Sequence, residues 1–178
     1  PITEIERKHF TLVLKSMLRL GDVIFLEGSS GITLDLAARE VLWREGLNYN
    51  HGTGHGVGFC LNVHERPNAF RYRQAQGRME HLPLHEGNIT SDEPGIYIEG
   101  SHGIRLENLT LVEKAFQNEF GNFFRLSFLT MVPLDLDAID VHLLEPHELA
   151  LLNHSHQQVY ATLAPYFSGD KLAWLQHA

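Results

Sequence analysis

Apolar residues near the start of the chain recur at helical spacing. Ile5, Phe10, Val13, Leu14, Met17 and Leu18 fall on one stripe, which predicts a helix over about 3–19. Thr3 and Glu6 fit a capping box at its start, and Gly21 closes it. Val23 to Leu26 is a short apolar run, read as a buried strand or an extended connector. Thr33 then offers an N-cap for a second helix over about 34–45. Leu34, Ala37, Ala38, Val41 and Leu42 line one face of it, and Gly46 stops it.

From residue 47 the texture changes. Glycine and histidine become frequent, and strand-like runs alternate with turns. Strands are expected over about 56–63, 88–92, 95–98 and 104–112. The polar, aperiodic stretch 66–86 reads as a loop. A turn is expected around Asn118 to Asn122, followed by a strand over 126–132 that Pro133 closes. Pro146 suits the first position of a last long helix. Leu149, Leu152, His156, Val159 and Leu163 share one of its faces, and Pro165 ends it. Gly169 and Asp170 lead into a short terminal helix. Two helices, a run of strands and a final helix make an α+β layout.

The chain has 178 residues, 43% hydrophobic and 20% charged, which suits a folded domain rather than a disordered one. Its 14 basic and 22 acidic residues give a net charge of −8, which argues against a nucleic-acid binder. Its single cysteine, Cys60, excludes an internal disulfide framework and fits a reducing compartment. No run approaches the roughly 20 apolar residues of a membrane helix. No signal-peptide pattern opens the chain; a cytoplasmic location is the expectation. The first residue is Pro1 rather than Met, so the chain is expected to be a piece of a longer protein.

Twelve histidines are the unusual feature, and three clusters use them or neighbouring carboxylates. The first is His51-Gly52-Thr53-Gly54-His55-Gly56-Val57-Gly58, with His64-Glu65 following. Four glycines make a helix costly, at about 1 kcal/mol each relative to alanine. In an extended segment His51 and His55 point to the same side, and the glycines admit a ligand or another backbone. The second cluster is Thr90-Ser91-Asp92-Glu93-Pro94-Gly95, which puts Glu93 where a strand meets a turn. The third is Gly103-Ile104-Arg105-Leu106-Glu107-Asn108-Leu109-Thr110-Leu111-Val112. Read as one strand, it puts Arg105, Glu107, Leu109 and Leu111 on one face, with both faces covered. A buried carboxylate there needs a partner or a metal. Arg105 is one candidate partner, and a structural Arg–Glu pair is the simpler reading. Imidazole and carboxylate donors also suit a divalent metal that hydrolyses amides, with His55, Glu93 and Glu107 converging.

HGTGHGVG with NVHE, then SDEPGIYI, then GIRLEN resembles the pita-bread metallopeptidases, which include Xaa-Pro aminopeptidases, prolidases and methionine aminopeptidases. The resemblance covers residues 1–135, the C-terminal portion of such a catalytic domain. Residues 136–178 resemble the helical extension of long cytosolic Xaa-Pro aminopeptidases. The resemblance implies a partial pita-bread fold, a curved, mostly antiparallel sheet with helices on its outer side. It implies a dinuclear aminopeptidase that releases the residue before a penultimate proline by attack of a metal hydroxide.

By motif position, His55, Glu93 and Glu107 would be metal ligands. His64, Glu93 and His51 would be the catalytic residues: His64 bonds the scissile region, Glu93 relays a proton and His51 lines the proline pocket. Arg105 would stand behind the bridging ligand Glu107. Manganese is the implied metal, with zinc or cobalt as alternatives, and the partner is a peptide with proline in second place. The family's two aspartate ligands have no counterpart here. Asp22 lies in a turn, and Asp35 sits in a first helical turn, where the dipole explains it. Three of five ligands imply at most one weakly held ion and an isolated chain that is inactive. The absent strands imply association with the missing N-terminal portion or with a second copy. An inactive scaffold with a binding role and a prolidase-type dipeptidase remain the alternatives.

Overall fold

A computed structural model describes residues 2–74, 77, 79 and 81–177 of the chain. Helix α1 spans Glu4–Gly21, and both halves of the Thr3/Glu6 capping box form. Its stripe packs inward through Val13, Leu14, Met17 and Leu18, whereas Ile5 is exposed. Strand β1 is Ile24–Leu26. Helix α2 spans Gly31–Arg44 and starts earlier than expected, with Ser30 rather than Thr33 at the N-cap. It ends as read: Gly46 takes a φ of 69°, and Leu47 N–H reaches back to the Leu42 carbonyl, a closure that glycine permits at no steric cost.

The main sheet has six strands in the order β1-β8-β7-β4-β2-β3. Strand β2 is Gly54–Gly56, β3 is Glu65–Phe70 and β4 is Ile89–Asp92. Strands β5 (Gly95–Ile98) and β6 (His102–Arg105) form a separate antiparallel hairpin. Strands β7 (Asn108–Asn118) and β8 (Gly121–Phe128) make the longest pair. Every strand pairing among the described residues is antiparallel.

Several expectations require correction. The strand expected over 56–63 is a 3-10 turn at Phe59–Leu61, with β2 before it. The register shift between His55 and Gly56 and the bond from Gly58 N–H to the Asn62 carbonyl turn the chain away. The loop expected over 66–86 contains β3, whose alternation is masked because it is a sheet edge with its first three residues exposed. Pro67 is tolerated there because an edge strand leaves donors unused. Positions 75, 76, 78 and 80 of that stretch lie outside the described residues. The single strand expected over 104–112 is broken after Arg105 into β6 and β7. The turn near Asn118 narrows to Glu119 and Phe120, and of the strand expected over 126–132 only 126–128 is strand, the end of β8.

Register fixes which side chains share a face. Phe25 pairs with Phe124, and Val112 with Leu126. These pack with Leu20, Leu34, Ala38 and Phe70 into one core against α1 and α2. Position by position along the ladder, Thr90, Asp92 and Thr110 face this helix side. Leu109, Leu111, Ser91 and His55 face the opposite, open side.

Helix α3 (Pro146–Leu163) packs on α1 through Leu152, Leu14 and Leu18, and α4 (Gly169–His177) follows it. Leu149, expected on the inner face of α3, is exposed. Between α1 and α3 lies Glu148, 2% exposed, with Arg19 Nε at 2.6 Å and Lys15 Nζ at 3.2 Å. No helix among the described residues is long and apolar enough to cross a membrane.

Two outcomes follow from this packing. E148A leaves two cations facing a buried gap and should cost about 3 kcal/mol of unfolding free energy by urea titration. His9, 6% exposed, holds Nδ1 2.7 Å from His102 Nε2. Burial, then the neighbouring His102 and Lys8, lower its pKa below the ordinary 6.5. The unfolded chain therefore binds the proton more readily. This stability contribution is complete above pH 6.5 and lost as pH falls below it. A melting temperature that is flat from pH 7 to 5 would contradict this.

Candidate metallopeptidase site

Gly54 is the local reason the site forms. A Cβ there would sit 1.7 Å from the Ser91 carbonyl oxygen, so only glycine lets β2 lie this close to β4. That approach carries His55 to the end of β4, where the open face meets the turn at Pro94. His55 N–H donates to Ser91 Oγ at 3.0 Å, and Ser91 Oγ–H donates to Glu93 Oε1 at 2.9 Å. His55 Nε2 lies 3.1 Å from Glu93 Oε1. The His64 ring stands edge-on to His55, with ring centres 4.4 Å apart.

A second arm runs from Glu93 through the β5–β6 hairpin. Arg105 Nη1 lies 3.4 Å from Glu93 Oε2, and Arg105 Nε–H donates to the Tyr97 hydroxyl at 2.8 Å. His51 Nε2 lies 2.9 Å from the same hydroxyl. His51, Tyr97, Arg105, Glu93, His55 and His64 thus form one continuous line of contacts. Burial lowers the His51 pKa, and the nearby Arg105 charge adds to this, against the Gly52 carbonyl that raises it. A neutral His51 is the form that suits an apolar ligand beside it.

Glu107 departs from expectation. It is exposed, in the break between β6 and β7, rather than buried on a strand face. Arg105 pairs with Glu93 and Tyr97 instead of Glu107. Among the described residues no group of three His, Cys, Asp or Glu side chains is placed to hold a metal ion. His55 and Glu93 are donors of the right chemistry for a divalent metal, but they are two donors and not a full set.

Sequence reasoning missed three participants. Tyr97 pairs across the hairpin with Gly103, whose absent side chain leaves room for the ring; an aromatic facing a glycine was the available signal. Ser91 was visible only as part of a motif. Asp35 is not the first-turn dipole partner expected, because α2 starts at Gly31 and has no acidic residue in its first turn. It is fully buried, 2.5 Å from Arg39 Nε, and accepts from Thr53 Oγ1–H at 2.5 Å. Asp92 points to the same helix side, fully buried, with neither carboxylate oxygen hydrogen-bonded among the described residues. Burial, then Glu93 and Asp35, push its pKa well above the usual carboxylate range.

The chain belongs to metallopeptidase family M24, whose model matches residues 1–114; the C-terminal region of peptidase M24 matches residues 122–178. It is 46% identical over 178 residues to a Neurospora crassa protein named "Probable Xaa-Pro aminopeptidase P", covering 97% of this chain and 26% of that one. A Sclerotinia sclerotiorum protein of the same name is 44% identical, covering 98% and 29%. The chain therefore spans under a third of the length of these relatives.

Its fold is that of the X-prolyl aminopeptidase of Caenorhabditis elegans, described as a cytosolic enzyme with a di-nuclear active site. The two superpose with a TM-score of 0.88 at 35% identity, over 99% of this chain and 28% of that one. The prolidase of Pyrococcus furiosus superposes less fully, with a TM-score of 0.54 at 28% identity over 70% of this chain and 32% of that one. The antiparallel sheet with helices on one side is the α+β, partial pita-bread architecture expected from the motifs.

The glycine argument makes a direct prediction. G54A should destabilise the protein by about 3 kcal/mol or more, because a backbone carbonyl cannot yield. G52A, whose Cβ would have as its nearest neighbours atoms of the flexible Arg71 side chain at 3.0 Å, should cost under about 1 kcal/mol. Equal losses in denaturant titrations of the two variants would refute the account.

Proposed function

We propose that the protein of which this chain forms part is a metal-dependent aminopeptidase that releases the N-terminal residue ahead of a penultimate proline. The observation that carries this reading is the Glu93-centred line from His64 to His51, on the open face of a family M24 sheet. Residues 1–135 supply the C-terminal portion of the catalytic domain and residues 136–178 its helical extension.

His55 and Glu93 would hold a divalent cation once Glu107 is brought in from its exposed position between β6 and β7, with manganese the preferred ion over zinc or cobalt. The chemistry such a cation supplies is acidification of water and polarisation of the scissile carbonyl. Glu93, whose Oε1 is engaged by Ser91 and His55, is the carboxylate that takes the proton from water and returns it to the prolyl nitrogen. Arg105 holds Oε2 in place. His64 donates a hydrogen bond to the scissile region, and His51 lines the pocket for the proline ring. A cytosolic location and assembly as a homodimer complete the proposal. The fuller superposition on the X-prolyl aminopeptidase than on the prolidase favours cleavage of longer peptides over dipeptides.

The test is hydrolysis of a panel by the protein at its natural length, with manganese present. Xaa-Pro-Xaa peptides should be cleaved and Xaa-Pro dipeptides should not. E93Q should lower kcat by about a hundredfold or more. Preferential cleavage of dipeptides would instead support a prolidase. No hydrolysis of either would support a binding scaffold. The 178-residue chain alone should bind at most one divalent ion, weakly, by isothermal titration. Tight binding of two ions would overturn the assignment of donors.

A further inference from the structure

Beneath the open-face site, on the helix side of the sheet, lies a buried polar network that the proposed chemistry does not use. Arg39 is 1% exposed and Asp35 is 0% exposed. The guanidinium donates from Nε to Asp35 Oδ2 at 2.5 Å. It also donates from Nη1 to the Tyr49 carbonyl at 2.9 Å and from Nη2 to the His51 carbonyl at 2.7 Å. The Tyr49 and Tyr72 rings lie within 4.0 and 4.4 Å of its central carbon. Lysine cannot reproduce this, because only the planar fork reaches a carboxylate and two carbonyls at once.

The other oxygen of the carboxylate continues the network. Asp35 Oδ1 accepts from Thr53 Oγ1–H, and the Thr53 carbonyl accepts the Glu93 N–H at 2.7 Å. One buried ion pair therefore reaches both ends of the site. Arg39 grips the backbone of His51, and Asp35, through Thr53, grips the backbone of Glu93. A buried pair of this kind is weak evidence for stability, since an apolar pair of similar volume does as well. Here its bonds go to the Tyr49 and His51 carbonyls and the Thr53 hydroxyl, and the Thr53 carbonyl passes the link on to the Glu93 amide.

We propose that Arg39 and Asp35 of α2 are positioning residues for the reaction, setting the spacing of His51 and Glu93 from below the sheet. This rests on the aminopeptidase reading for its kinetic consequences, but its structural claim stands independently. Arg39 acts on substrate binding through His51, and Asp35 acts on turnover through Thr53 and Glu93.

The experiment compares R39K, D35N and T53V in the protein at its natural length. Hydrogen exchange gives the readout that needs no activity. Amides of 48–56 and 91–95 should exchange about tenfold faster in each variant, while those of α3 remain unchanged. In kinetics with an Xaa-Pro-Xaa peptide, R39K should raise KM about tenfold and T53V should lower kcat about tenfold. R39K introduced into H51A should add little further loss, because both changes act on one contact.

Faster exchange throughout α1, α2 and α3, or fully additive R39K and H51A losses, would reduce the pair to a general stabiliser and overturn the proposal. Unchanged exchange at both segments would overturn it as well. If the parent protein cleaves no Xaa-Pro peptide, the functional reading fails, and the exchange pattern alone decides the positioning claim. T53V keeps the ion pair intact, so its exchange pattern tests the claim even if R39K or D35N fails to fold.

Discussion

Everything proposed for this chain depends on how closely two strands approach each other. Strand β2 can lie against β4 only because Gly54 has no side chain to strike the Ser91 carbonyl. That contact sets His55 Nε2 beside Glu93 and lets Ser91 bond to both segments. It also brings the Thr53 carbonyl to the Glu93 amide. A methyl group at position 54 would separate the imidazole from the carboxylate and also unlink the site from the network below it. The glycine-rich motif is thus a packing requirement before it is a chemical signature.

The sheet divides the labour between its two faces. Its helix side is sealed by α1 and α2, with Phe25, Phe70, Val112, Phe124 and Leu126 in one core. That low-dielectric side is where Arg39 and Asp35 can hold fixed bonds without competition from water. The open side carries His55, Ser91 and Glu93, with Leu109 and Leu111 along the same face. The candidate site and its buried support are thereby separated by one layer of backbone, and the hydrogen bond from the Glu93 amide to the Thr53 carbonyl joins them.

Much of this was legible in the sequence, because the signals were local. The capping box at Thr3, the glycine closure at Gly46 and the proline start of α3 all form where the residues indicate. The histidine, glutamate and arginine motifs do meet around Glu93. What was illegible depended on partners distant in the chain. β3 reads as a loop because its exposed edge residues do not alternate. The β6–β7 break is hidden because Leu106 and Asn108 continue a strand-like pattern, and with it the exposure of Glu107. Asp35 looks like an ordinary residue of a first helical turn until Thr53 and Arg39 are brought against it.

The central claim is that His55 and Glu93 face a divalent cation on the open side of the sheet. Anomalous diffraction from crystals of the protein at its natural length, grown with manganese, tests it most directly. The account predicts an anomalous peak within coordination distance of His55 Nε2 and a Glu93 carboxylate oxygen, with Arg105 still against Glu93. A peak elsewhere, with the His55–Glu93 contact closed and unchanged, would contradict it.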